Sequence, residues 1–222
     1  MKNKSFQKHE VAEYERKRYR GLDQRLVHKR ERKILESIFK EIQGDSLQVL
    51  DIPCGYGRFS QLCLKHGFSL VNSDISFHMV QRAVNRKRFN MEASVCGFVC
   101  DAKQGIPVKT EIIPVVLSMR FFHHLHEADD RLFILKEFYR VSLKWVVLSY
   151  YKSHALHRLQ RKLRKAVKKA KTRIKMISRK EFHREITESG FEVVKEYSLF
   201  PGLHAQHIVL LRKVKSESET RL

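Results

Sequence analysis

The segment Val49-Leu50-Asp51-Ile52-Pro53-Cys54-Gly55-Tyr56-Gly57-Arg58-Phe59 combines an apolar run, a carboxylate and two closely spaced glycines. Such a run reads as a strand that ends in Asp51 and turns sharply into a helix. Glycines at 55 and 57 let the backbone approach a ligand closely at the carboxyl edge of a sheet. A dinucleotide site would carry a third glycine and dock a pyrophosphate on the helix end. That glycine is missing, and no Gly-Lys-Ser/Thr follows, which excludes a P-loop. A carboxylate before the turn instead suits a ligand without phosphate that carries positive charge, as on amino or sulfonium groups. Asp74 ends the next apolar run about twenty residues on, where an acid can accept hydrogen bonds from both hydroxyls of a ribose. Asp101 follows Phe98-Val99-Cys100. Three successive strands ending in Asp place three carboxylates along one sheet edge.

Further groups that could act on a substrate follow the fourth apolar run, in Met119-Arg120-Phe121-Phe122-His123-His124-Leu125. His123 and His124 are candidates for a general base, and one of them is expected to pack or cap the following helix. Arg120 on the same loop could hold a substrate anion. Tyr150 and Tyr151 end the fifth strand near the same mouth, with core packing as the alternative use of either ring.

The elements that must position these residues alternate along the chain. A basic, helical N-terminal region spans residues 8–42, interrupted near Gly21. Strands are expected at Leu47–Ile52, Ser69–Asn72, Val95–Cys100, Ile113–Ser118 and Lys144–Tyr150. Helices fall at Phe59–His66, Phe77–Arg88 and Asp129–Arg140. Alternation of this kind implies an α/β fold with a mostly parallel sheet and crossover helices. Phe191–Ser198 and Gln206–Arg212 are expected to pair as an antiparallel hairpin around Pro201-Gly202. Residues 1–212 then form a single domain, and residues 213–222 a disordered tail.

These motifs resemble the class I S-adenosylmethionine-dependent methyltransferases, particularly those acting on small molecules, over roughly Gln48 to Ser149. The resemblance implies a Rossmann-like sheet and S-adenosylmethionine as cofactor. It gives the methionine part of that cofactor to Asp51, Gly55 and Gly57, the ribose to Asp74 with Ile75, and the adenine to Asp101 with Ala102. Pro53 and Ser118, at the ends of the first and fourth strands, complete the implied cofactor contacts. Two positions depart from the family's pattern. Pro53 stands where the first glycine is usual, and Pro114 where an acid commonly opens the fourth strand. Metal-dependent relatives place acids where this chain has Arg120 and His123, so no metal is expected. The Asn/Asp-Pro-Pro-Tyr type sequence of exocyclic base-amine enzymes is absent, and no cysteine stands where a pyrimidine ring would be attacked.

The 222 residues carry a net charge of +21, which favours anionic partners such as nucleic acid, anionic lipid or a phosphorylated substrate. Much of that charge falls between His154 and Lys180, where twelve Lys/Arg residues occur without an acid. Leucine, valine and isoleucine recur there at spacings of three and four, so Ala155–Ile177 is expected to be one long amphipathic helix. It could be a lid over the acceptor site, an interfacial helix on an anionic membrane, or an arm that tracks RNA phosphates. The four cysteines (Cys54, Cys63, Cys96, Cys100) lack zinc spacing and are expected to be reduced thiols in a cytoplasmic protein, peripheral to the membrane if the basic helix binds lipid. No apolar run approaches the ~20 residues of a membrane span, and the amino terminus lacks a signal core. The expected reaction is methyl transfer to an oxygen or nitrogen of a small, anionic or lipid-linked acceptor. RNA methylation is the alternative within the family, and a non-enzymatic binding protein on the same fold is the alternative of another class.

Overall fold

A computed structural model describes residues 10–11, 13, 15, 21–42, 47–85, 94–153 and 174–214. The described chain forms one seven-stranded sheet. In chain order the elements are α1 (Leu22–Glu41), β1 (Gln48–Asp51), α2 (Ser60–Lys65), β2 (Ser69–Asp74), α3 (Phe77–Val84), β3 (Val95–Val99), β4 (Ile113–Ser118), α4 (Ala128–Val141), β5 (Ser142–Tyr151), α5 (Arg179–Glu188), β6 (Phe191–Ser198) and β7 (Gln206–Lys213). Short 3-10 turns occupy Ala102–Gln104 and Phe122–His124.

The strand order is β3-β2-β1-β4-β5-β7-β6. The first five strands pair in parallel, and β7 runs antiparallel to both β5 and β6. The direction of strand addition therefore reverses between β1 and β4. An open α/β sheet leaves its ligand crevice at such a reversal, outside the carboxyl ends of the strands. The parallel alternation and the terminal hairpin agree with the expectation from the sequence.

Central strands are buried on both sides, which is why they read as continuous apolar runs. Alternate residues divide between two cores. Leu50, Val116, Val146, Leu148 and Val209 pack with Ile134, Leu135 and Phe138 of α4 and with Phe182 and Ile186 of α5. Val49, Val115, Leu117, Val147 and Ile208 pack on the other face with Ile34, Leu35, Ile38 and Phe39 of α1 and Leu62 and Cys63 of α2. Ser178 opens α5, its side-chain oxygen accepting from the Glu181 N–H at 3.1 Å. Pro114 sits in β4, where the register with β5 shifts between Ile113 and Val115. A residue without an N–H fits such an irregularity.

Two expectations change at the ends of elements, whereas the interruption expected near Gly21 is found. Gly21 stands immediately before α1 as its N-terminal cap. The long basic helix expected through Ile177 lies outside the described residues from 154 to 173, and its last part is not helical. Ile174 to Met176 carry no regular structure, and Ile177 is fully buried in a bridge to Lys152. Burying Ile177 against the sheet requires extended chain, because its backbone pairs with Tyr151 and Ser153. Lys213, expected to open a polar tail, instead ends β7. Its Nζ donates to Glu111 Oε1 at 2.6 Å and to the carbonyl of Tyr139 at 3.0 Å. The tail beyond 214 lies outside the described residues. All four cysteines are free thiols, with Cys54 and Cys63 buried. Among the described residues no helix is long and apolar enough to cross a membrane.

Candidate active site

At the end of β1 the chain leaves the sheet through Asp51, a cis Ile52-Pro53 bond and the turn that starts α2. The Cys54 N–H donates to the Ser73 carbonyl at 2.8 Å, which fastens the turn to the end of β2. Gly55 and Gly57 both have positive φ, +52° and +74°. They serve different ends. A Cβ on Gly55 would meet nothing within 4 Å, whereas one on Gly57 would lie 3.0 Å from the Ala83 Cα and 2.8 Å from the Ser60 Oγ. Gly55 thus keeps a cavity open, and Gly57 lets α3 pack against the turn.

Asp74 closes this end. Its Oδ2 accepts from the Gly55 N–H at 3.0 Å and its Oδ1 from the Ser76 N–H at 3.0 Å. Asp51 is buried beside it, and burial, then the Asp74 charge, push the Asp51 carboxyl up to about 8. Burial raises Asp74 as well, against the opposing pull of the N–H groups of Ser76, Gly55 and Ile75. Two buried acids in one wall are costly unless a cation or a proton offsets them. They fit a ligand with a positively charged amino or sulfonium group. The cavity they border encloses about 540 Å³, within the ~300–1,000 Å³ usual for small-molecule sites.

The opposite wall comes from the ends of β4 and β5. Arg120 has φ +58°, a conformation unusual for a side chain larger than glycine, and its N–H donates to Ser149 Oγ at 2.7 Å. Outliers of this type gather at functional sites. The Arg120 Nε donates to Oε1 of Glu31 at 2.7 Å, Arg58 pairs with the other oxygen of that carboxylate, and Gln206 Nε2 donates to Oε1 at 2.7 Å. Burial alone would raise the Glu31 carboxyl, but Arg58 and Arg120 outweigh it and hold it below the ordinary range. Next to them, burial and then Arg58 lower His28 to about 4. The 3-10 turn Phe122–His124 sets His123 and His124 on the cavity wall, with ring centroids 4.0 Å apart and His123 4.9 Å from Tyr151. The Lys175 N–H donates to the His123 carbonyl at 2.9 Å, and Ile174 joins the lining. The far end of the basic segment is therefore stitched to the site.

Of the residues singled out in the sequence, Asp51, Pro53, Gly55, Asp74, Ile75, Arg120, His123 and His124 line this one cavity. Five others lie elsewhere among the described residues. Gly57 serves packing. Asp101 caps the turn after β3, accepting from the Lys103 N–H at 3.0 Å, and Ala102 is buried in that turn. Ser118 is enclosed at the end of β4. Tyr150 is fully buried, stacked on Phe182 at 3.8 Å, and its hydroxyl donates to Glu196 Oε1 at 2.6 Å. Alternation along β5 sends Tyr151, not Tyr150, to the cavity. Glu31 and Arg58 escaped the sequence reading, although a signal existed. Glu31 precedes Ile34, Leu35 and Ile38 by three, four and seven residues, which puts an acid on the buried face of α1.

A parallel sheet with its crevice at the strand reversal, acids after β1 and β2, and a glycine turn between them define a Rossmann-like nucleoside-binding class. Residues 12–196 match the family model for a methyltransferase domain. That span is most of the chain, and the chain belongs to this family, the class I S-adenosylmethionine-dependent methyltransferases. Similar folds include magnesium protoporphyrin IX methyltransferase from Synechocystis PCC 6803, with S-adenosylhomocysteine bound (TM-score 0.71, 14% identity, covering 87% of this chain and 88% of that one). A methyltransferase from Methanosarcina mazei is comparable (TM-score 0.67, 17% identity, 81% and 98% covered). Geranyl diphosphate methyltransferase, in complex with its prenyl diphosphate and sinefungin, has the same fold (TM-score 0.57, 12% identity, 83% and 78% covered). No curated protein matches the sequence significantly. The cofactor is S-adenosylmethionine, and the two buried acids suit its charge.

Proposed function

We propose that the enzyme methylates an oxygen or nitrogen of a small amphipathic anion, with lipid-linked molecules included in that class. The observation that carries this reading is the polarity of a single cavity. Asp51 and Asp74 line it at the ends of β1 and β2, while Arg58 and Arg120, joined through Glu31, line it together with His123 and His124.

Bound S-adenosylmethionine supplies an electrophilic methyl group on a sulfonium. Asp51 and the Gly55 backbone would hold the methionine part, and Asp74 with Ile75 would take the ribose. The Arg58 and Arg120 guanidiniums, rigid forks suited to carboxylate or phosphate, orient the acceptor anion. Met119, Phe121 and Ile174 offer it an apolar wall. His123 or His124 takes the proton that the acceptor hydroxyl or amine loses. Positioning the nucleophile in line with the methyl does much of the remaining work. The folds of this type that act on a prenyl diphosphate and on a magnesium porphyrin support an acceptor with an apolar body.

The test compares methyl transfer to a prenyl phosphate that carries a free hydroxyl, the nucleophile, with transfer to the corresponding neutral diol. Arg120→Gln should raise KM for the phosphate about tenfold or more, as for loss of a ~1.5–3 kcal/mol charged hydrogen bond, and leave cofactor affinity unchanged. Equal use of the neutral compound, or an equal effect of the substitution on both, would overturn the anionic reading.

A further inference from the structure

The solvent face of α1 carries a pattern that its role in the core does not require. Leu22, Leu26, Lys29 and Lys33 follow one another at i, i+4, i+7 and i+11, so they form one line along the helix. That line points away from the buried side made by Glu31, Ile34, Leu35 and Ile38. Leu22 is 77% exposed and Leu26 60%. Arg25 and Arg30 flank the line and are exposed as well.

A second element reaches the same flank. The Arg30 Nε donates to the Leu199 carbonyl at 3.0 Å, which brings the β6–β7 turn alongside α1. The tip of that turn, Pro201-Gly202-Leu203, leaves Leu203 83% exposed. Leu203, Leu22 and Leu26 are the three most exposed large apolar side chains among the described residues. Leu22 and Leu26 share one basic helix face, and the Arg30–Leu199 bond ties the turn that carries Leu203 to the same helix, which is not the scatter expected of ordinary surface leucines. The turn also borders the site, since the His204 ring lies 6.0 Å from the ring of Tyr151 on the cavity wall.

We infer that this flank docks on an anionic membrane surface, with Leu22, Leu26 and Leu203 entering the headgroup region and Arg25, Lys29, Arg30 and Lys33 meeting lipid phosphates. Apolar tips beside basic residues are the signature of an interfacial helix. Phosphates of RNA would be met by the bases alone and would leave the three leucines in water. Docking in this orientation sets the cavity mouth beside the lipid surface, where a lipid-linked acceptor would be presented. The inference extends the proposed function, yet the two fail separately because docking is read without turnover.

The experiment is co-sedimentation of the full chain with vesicles of phosphatidylcholine alone and of phosphatidylcholine containing phosphatidylglycerol. The wild type should bind the anionic vesicles and not the neutral ones. Leu22→Ser/Leu26→Ser/Leu203→Ser should lower the partition coefficient about tenfold or more while keeping the melting temperature and cofactor binding. Lys29→Gln/Lys33→Gln should weaken binding and flatten its salt dependence. No wild-type binding to anionic vesicles overturns the inference, as does a leucine variant that binds like the wild type. So does an oligoribonucleotide that binds wild type and leucine variant alike while vesicles bind neither.

Discussion

Asp51 is a carboxyl group whose protonation depends on what lies beside it. An aspartate in the unfolded chain titrates near 3.9, while burial, then Asp74, push this one up to about 8 in the folded protein. Between about pH 4 and 8 the folded state therefore binds one proton more than the unfolded state. The stability contributed by this group is full below about pH 4 and is lost as pH rises through about 8. A cationic amino group next to Asp51 reverses the preference and expels the proton. Binding of S-adenosylmethionine at pH 7 should thus release close to one proton, seen as a calorimetric enthalpy that tracks the ionisation enthalpy of the buffer. Asp51→Asn should abolish that dependence. Identical wild-type enthalpies in phosphate and Tris would contradict the assignment. At the other wall, His123→Ala or His124→Ala should lower turnover by ~10²-fold with cofactor affinity nearly intact, if that ring takes the proton. Parallel loss of cofactor affinity and thermal stability would mark the ring as structural instead.

Between β1 and α2, two glycines with similar backbone angles do different work, and their substitution separates the two. Gly55→Ala places an alanine in the left-handed region at a cost of ~1–2 kcal/mol, with open space around the new methyl. Gly57→Ala adds overpacking against Ala83 and Ser60, worth ~1–3 kcal/mol more. Gly57→Ala should therefore show the larger drop in melting temperature. Gly55→Ala should show the larger loss of cofactor affinity, because the methyl enters the cavity. A reversal of that order in thermal melts and titrations would show the cavity to be wrongly placed. Along β5, the same element-level logic separates two adjacent tyrosines. Tyr150 faces α5, where burial, then the bond to Glu196, pushes its hydroxyl far above the ordinary range, while Tyr151 faces the site. The sequence gives both as aromatic residues at a strand end, and only the side of the sheet tells them apart.

The whole molecule is held together on the α4–α5 side by a fully buried arginine. Arg131 donates from Nε and NH2 to both oxygens of Glu185, at 2.9 and 2.6 Å, and from NH2 to Glu181 at 2.8 Å. Its NH1 reaches the carbonyls of Leu125 and His126, just after the histidine turn. One side chain thus couples the active-site loop to the helix that follows the basic segment. Arg131→Met should lower stability by about 3–5 kcal/mol, since it leaves Glu185 buried beside no counter-charge. That corresponds to a fall of roughly 10 °C in melting temperature for a chain of this size. Adding Glu185→Leu should recover much of the loss. A single variant that melts with the wild type would show that water or another group satisfies Glu185.

What the sequence determined by itself was set by interactions over a few residues. Apolar alternation gave the parallel strands and the hairpin, and the Asp51–Gly55–Gly57 turn with Asp74 about twenty residues on gave the acidic part of the cavity wall. These signals are legible because strand burial and glycine turns are decided by neighbouring side chains and local backbone angles. The wall around Glu31 was decided by tertiary structure. Glu31 meets Arg58, Arg120 and Gln206 across separations of 27, 89 and 175 residues, and no local pattern specifies that meeting. Nor does one specify that the β6–β7 turn is tied to α1 through Arg30. Such convergence follows from strand order and register, which the packing of the whole sheet fixes, and a charged residue on a buried helix face can only announce that a partner exists somewhere in the fold.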